Sequence, residues 1–184
     1  MKKLTRCFIC IEFPEEVVKE VGRIQEQVSK VPFIGKLTEL NNLHLTLKFL
    51  GEIDEEKIET VKKSLGEIQF KIMNTEIGKT GLFSRRKSPS IVWINIVGKE
   101  IFSLQNEIDI AMEKLGFMKE ERFMSHITIA RIKDTKEKDK FIKNIANIKV
   151  RDTKFKLDNF KLKSSDLRET GPIYDDIGVY FSKD

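Results

Sequence analysis

The segment NNLHLTLKFLGE, residues 41–52, sets His44 in an apolar–Thr–apolar context. The chain has two histidines, and the other, His126, stands in SHITIARI (125–132) in the same context. In a strand, side chains at i and i+2 share a face. An extended strand therefore puts His44, Thr46 and Lys48 on one face and Leu45, Leu47 and Phe49 on the other. His126, Thr128 and Ala130 likewise oppose Ile127 and Ile129. The apolar sets suit burial under helices, and the polar sets suit a cleft.

Working outward, the same order of elements occurs twice. RCFICIEF (6–13) is β-branched and apolar, as a buried strand requires. Pro14 opens PEEVVKEVGRIQEQVSK, where Val17, Val21, Ile24 and Val28 recur at helical spacing. LHLTLKFLGE reads as a strand. DEEKIETVKKSLGEI reads as a helix capped by Asp54. FKIMNTEIGKTGLF (70–83) reads as a strand or bent hairpin, and the basic stretch SRRKSPS (84–90) as a loop. The cycle then restarts. IVWINIVG (91–98) is a strand, KEIFSLQNEIDIAMEKLG a helix closed by Gly116, MSHITIARI a strand and TKEKDKFIKNIANI a helix. FKLDNFKLKSSDLR (155–168) is a strand or hairpin, and IGVYF a tail strand.

The halves align without gaps of consequence. Ile11 precedes His44 by 33 residues and Ile94 precedes His126 by 32; FKIMN and FKLDN begin at Phe70 and Phe155. The period is too long and the copies too few for a solenoid. The expected fold is α+β: duplicated β-α-β-α-β units forming two lobes, with mainly antiparallel sheets facing across a central cleft. Each unit is expected to form its own small sheet. Residues 1–184 are expected to form a single bilobal domain, with repeat units 1–83 and 91–168, the basic loop 84–90 between them, and a tail strand at 177–182.

A chain of 184 residues with 40% hydrophobic content has room for such a core. The formal charge of +5 and pI near 9.1 are compatible with a nucleic-acid or phosphate ligand without demanding one. No apolar run is long enough to span a bilayer, and MKKLTRCFICIEFPEE lacks the cleavage site of a signal peptide. A cytoplasmic protein with no membrane partner is expected. The C-x-x-C of Cys7 and Cys10 is read as two small core residues in a reducing compartment, since a zinc site needs further ligands.

Two imidazoles held in opposite protonation states can remove a proton from an attacking oxygen and give one to a leaving oxygen. Two threonine hydroxyls can donate to the non-bridging oxygens of a phosphate between them. No acid lies in phase with either histidine to complete a metal site. A nucleophilic Ser or Cys has no local signature. By sequence symmetry the two histidines are interchangeable as acid and base.

HLTL and HITI resemble the two H-x-T-x signatures of the 2H phosphoesterase superfamily. NLHLTLKFLGE, VWINI and HITIAR, with CFICIEFPEE and GPIYDDIGVYF, resemble its RNA 2′,3′-cyclic phosphodiesterases, also called 2′-5′ RNA ligases. The resemblance implies a bilobal fold that works without metal or cofactor. It implies hydrolysis of terminal 2′,3′-cyclic phosphates of RNA to 2′-phosphates. His44 is then the proton donor to the departing 3′-oxygen and His126 the proton acceptor that activates water. Thr46, Thr128 and Arg131 are the expected substrate contacts. Flat-strand parity aims Arg131 away from His126, which leaves a bulge or a structural role open. Ser125 stands where the family usually has Pro, and is expected to change the approach to the strand and not the chemistry. Rival functions are reversible 2′-5′ ligation of tRNA halves and a weakly catalytic RNA- or nucleotide-binding module. The expected partner is RNA with a 2′,3′-cyclic phosphate end, tRNA fragments included, met by a monomer. Arg85, Arg86 and Lys87 either hold the RNA backbone or form a solvated linker. Phe83 and Tyr174 are candidates for stacking on a base.

Overall fold

The computed structural model describes residues 3–86, 88–168 and 171–183. Its elements run β1 (Thr5–Ile11), α1 (Glu15–Val28), β2 (Ile34–Leu37), a 3-10 turn (Leu40–Asn42), β3 (Leu45–Ile53), α2 (Glu55–Gly66) and β4 (Met73–Arg85). There follow β5 (Ser88–Val97), α3 (Lys99–Lys114), β6 (His126–Asp134), α4 (Lys138–Ala146), β7 (Lys154–Leu157), β8 (Asn159–Arg168) and β9 (Gly171–Phe181). None of the described helices is long and apolar enough to cross a membrane.

The helix signals act as the sequence suggests. Asp54 accepts from the Lys57 N–H at 2.9 Å and caps α2. Gly116, at φ 87°, follows α3, and the Phe117 N–H returns to the Met112 carbonyl at 3.1 Å. A left-handed residue at this place satisfies the last helical carbonyls. In α1 the buried positions are Val17, Glu20, Val21, Ile24, Gln25 and Val28; in α3 they are Ile101, Leu104, Gln105, Ile108, Asp109 and Met112. The two sets match one for one at a constant offset, so the duplication extends to the packed faces of the helices.

Two sheets result, one ordered β3-β1-β8-β9 and the other β2-β6-β5-β4-β7. Every ladder among the described residues is antiparallel. The units do not each form their own sheet, as expected above. They exchange elements: β4 leaves the first unit to pair with β5, and β8 leaves the second to pair with β1. Helices are exchanged too, α1 lying against β6 and α4, and α3 against β3 and α2. An exchange of this kind buries the apolar faces of both units in one another. Among these, Ile9, Ile11, Leu45, Ile94, Ile127 and Ile129 are wholly buried.

Three other expectations need revision. The basic stretch 84–90 is mostly strand, since β4 runs to Arg85 and β5 starts at Ser88, and these two residues pair with one another. Arg86, after β4, has φ 49°; Lys87 lies outside the described residues. The tail strand begins at Gly171 rather than at 177 and forms a long hairpin with β8. Strand β2 was not anticipated. Ile34–Leu37 is largely exposed and has no alternation to mark it.

Strand β3 carries a bulge that decides the site. Cys10 pairs with Thr46 and Ile9 with Lys48, so Leu47 is an extra residue. Strand β6 has the same device, with Trp93 on Thr128, Val92 on Ala130, and Ile129 extra. An extra residue reverses the facing of everything after it. Lys48 is thereby not on the His44 face, as flat parity has it. It turns to α3, where it is buried against Asp109 and the Met118 carbonyl. Phe49 turns the other way, toward the cleft.

Candidate active site

The cleft between the sheets holds a cavity of about 510 Å³. His44, Thr46 and Phe49 line it from β3 and the residue before it, and His126, Thr128 and Arg131 from β6. Both His-Thr pairs are therefore brought to one space. Arg131 joins them because the bulge at Ile129 turns it back to the cleft, which resolves the parity difficulty. Phe49 and Arg131 hold equivalent positions in the two units, each two residues beyond the bulged one.

The imidazoles are set alike. His44 Nδ1 lies 2.8 Å from the Asn42 carbonyl, and His126 Nδ1 lies 2.7 Å from the Met124 carbonyl. A carbonyl oxygen only accepts, so Nδ1–H is the donor in both and the tautomer is fixed. Nε2 is left without a partner among the described residues and can act as acid or base. Aromatic rings brace each imidazole: Phe8 at 5.0 Å and Tyr174 at 5.3 Å from His44, Phe83 at 5.3 Å from His126. Phe83 and Tyr174 thus hold the histidines, and only Tyr174 also lines the cavity. Arg85 and Arg86 are not among its lining residues.

The bulges are themselves anchored. The Ile129 carbonyl accepts from the Thr38 N–H at 3.0 Å and from Gln25 Nε2 at 2.9 Å. Asp109, which matches Gln25 in the helix alignment, holds Lys48 and accepts from the Glu120 N–H at 2.9 Å. Ser125, directly before His126, donates to the Ile96 carbonyl at 2.8 Å and fixes the start of β6.

An ion network on the cleft side of sheet β3-β1-β8-β9 escaped the sequence reading. Lys161 bonds Glu12 at 2.6 Å and Asp176 at 2.7 Å; Lys163 bonds Glu12 and, at 2.6 Å, Asp176. The alternation Lys161–Lys163 on one face of β8 was its one visible sign. Burial works against the Glu12 charge, but the two ammonium groups overcome this and hold its carboxyl low. The network reaches His44. Burial holds His44 below the ordinary imidazole range; the Asn42 carbonyl and Glu12 pull it up, while Lys163 and Arg131 push it down. Cys10 lies buried beside these residues, and burial pushes its thiol to about 12. Cys7 is buried in the core, and both cysteines are free. Among the described residues, no group of three His, Cys, Asp or Glu side chains is placed to hold a metal ion.

Solved structures share this architecture at low identity. A Thermus thermophilus protein superposes with a TM-score of 0.80 at 23% identity, over 96% of this chain and 97% of that one. Escherichia coli LigT superposes with a TM-score of 0.77 at 20% identity, over 99% of each chain. Curated relatives are closer in sequence. The RNA 2′,3′-cyclic phosphodiesterase of Thermotoga maritima is 36% identical over 92% of this chain and 91% of its own length. That of Methanocaldococcus jannaschii is 34% identical over 92% of this chain and 96% of its own. The profile of the LigT like Phosphoesterase family matches residues 11–93 and again 96–174. Each match contains one His-x-Thr pair, and the two together span most of the chain, so the chain belongs to the LigT-like phosphoesterases, a family of enzymes.

Proposed function

We propose that this enzyme hydrolyses terminal 2′,3′-cyclic phosphates of RNA to 2′-phosphates, by acid–base catalysis between His44 and His126 and without a metal. Two matched imidazoles with fixed tautomers on one cavity carry this reading. The curated relatives bear the name of this activity, and one LigT structure is a complex with 3′-AMP.

In the reaction, His126 Nε2 takes a proton from water as its oxygen bonds to phosphorus. The P–O3′ bond breaks, and His44 Nε2–H gives its proton to O3′. The product has a 2′-phosphate and a free 3′-hydroxyl. Thr46 and Thr128 donate to the non-bridging oxygens, and Arg131 offsets the growing charge. The lowered proton affinity of His44 is set by the protein groups alone. A cyclic phosphodiester brings a negative charge beside the ring, which favours the protonated form. A donor of low proton affinity also yields its proton readily to an alkoxide.

The test is a 2′,3′-cyclic mononucleotide with the enzyme in excess EDTA. Hydrolysis to the 2′-phosphate is expected. A 3′-phosphate product, or arrest by EDTA, rejects the proposal. Adding RNA with a 5′-hydroxyl separates hydrolysis from 2′-5′ joining.

A further inference from the structure

The bonds that anchor the two bulges follow one plan, and the plan crosses from each unit to the other. Thr38 precedes His44 by six residues, and Glu120 precedes His126 by six. Gln25, on α1, donates through Nε2 to the Thr38 carbonyl at 2.7 Å and to the Ile129 carbonyl at 2.9 Å. It thus joins the lead-in to His44 with the bulge of the strand that carries His126. Asp109, its counterpart on α3, accepts from the Glu120 N–H at 2.9 Å and pairs with Lys48, the residue after the bulged Leu47. It thus joins the lead-in to His126 with the strand that follows His44. Lys48 adds a second bond to that lead-in, at the Met118 carbonyl. Gln25, Lys48 and Asp109 are all buried.

The second tie bears on the chemistry through one carbonyl. The His126 Nδ1–H is directed by the Met124 carbonyl, four residues past Glu120. Ser125 is bonded to β5, but Met124 lies before the start of β6 and is carried by the lead-in. Helix α3 holds the lead-in again at Phe123, whose ring meets Phe102 at 5.4 Å. A buried ion pair is by itself no better for stability than apolar residues of the same volume. This one also bonds two backbone groups, and so fixes a geometry. The reacting Nε2 moves with the bond made by Nδ1, and a misplacement of about 1 Å costs on the order of a hundredfold in rate.

Resting on the function proposed above, we propose that Lys48 and Asp109 are positioning residues for His126, although Lys48 lies on the strand of His44. The pair sets the lead-in and with it the Met124 carbonyl, which sets the direction of the His126 ring.

The test uses Lys48→Met and Glu120→Pro. The first breaks the pair. The second keeps the pair and removes the N–H that Asp109 accepts. It is read against Glu120→Ala, which loses the same side chain and keeps the N–H. Rates are taken with a 2′,3′-cyclic mononucleotide and its 3′-thio analogue, whose thiolate departs without a proton donor. His44→Ala and His126→Ala give the two reference patterns, since sulfur relieves one role and not the other. Lys48→Met against wild type, and Glu120→Pro against Glu120→Ala, should each lose about tenfold or more in kcat. Both should follow the pattern of His126→Ala on the two substrates. Should Lys48→Met fail to fold, Glu120→Pro decides alone. The pattern of His44→Ala in either variant, or no loss in Glu120→Pro, overturns the proposal and leaves the proposed function standing. If wild type hydrolyses neither substrate, or the two reference patterns agree, the function or its roles fail, and imidazole NMR decides the tie. Glu120→Pro must then move the ring signals of His126 and leave those of His44 in place. The reverse, or no movement, overturns the tie.

Discussion

Asn95 is the cross-strand partner of His126, and Glu12, one residue past the Ile11–Leu45 pair, takes the same place beside His44. The two imidazole rings are equivalent in strand, bulge and tautomer. They differ in this neighbour, a neutral amide for one and a carboxylate held by two lysines for the other. Tyr174 and Asp176 from β9, Lys161 and Lys163 from β8, and Arg131 from β6 complete the groups around His44.

From this it follows that Glu12→Gln and Lys163→Met move the protonation midpoint of His44 in opposite directions. Glu12→Gln leaves the network with a net positive charge and lowers the midpoint; Lys163→Met leaves it negative and raises it. Each move should be on the order of half a pH unit or more. Imidazole NMR shifts followed against pH give the midpoints. No movement in either variant separates the network from His44.

His44 also couples stability to acid. Its folded proton affinity lies below that of the unfolded ring, which titrates at about 6.5. The stability contributed by the buried neutral ring is therefore whole above about pH 6.5 and is lost as pH falls through the folded midpoint. Urea melts at pH 7.5 and pH 5.5 should show a larger drop for wild type than for His44→Gln. Equal drops would contradict the assignment.

Lys48 and Asp109 are 4% and 3% exposed in their side chains and pair across β3 and α3. Removing one partner strands a buried charge. Lys48→Met is expected to cost about 3–5 kcal/mol in denaturant unfolding. It also frees the Met118 carbonyl, so hydrogen exchange over 116–122 should quicken.

Gly35 lets β2 lie against β6. A Cβ there would stand 2.2 Å from the Arg131 carbonyl oxygen. Gly35→Ala should cost about 1–3 kcal/mol and displace Arg131, raising KM more than it lowers kcat. An unchanged KM would show that the β2 edge does not position Arg131.

Much of this could be read from the sequence because it was written twice. His44 and His126 with their threonines, the helical faces of α1 and α3, and the antiparallel two-sheet fold all follow from repeated periodic patterns. What could not be read depends on pairing. Whether Leu47 and Ile129 are extra residues is settled by the register of β1 and β5 beside them, and with it the facing of Lys48, Phe49 and Arg131. The exchange of β4 and β8 between units is invisible to any local pattern, since a strand of either sheet needs the same alternation. β2 is short and exposed, held by backbone bonds to β6, and carries no hydrophobic signal of its own.

In the proposed reaction His126 takes a proton and His44 gives one. A substrate with sulfur in place of the bridging 3′-oxygen separates the two roles, because a thiolate departs without a proton donor. With the ordinary cyclic phosphate, His44→Ala and His126→Ala should each lose about two orders of magnitude or more in rate. With the 3′-thio substrate, His44→Ala should recover most of its loss and His126→Ala none. Recovery by His126→Ala instead, or by neither variant, would contradict these roles.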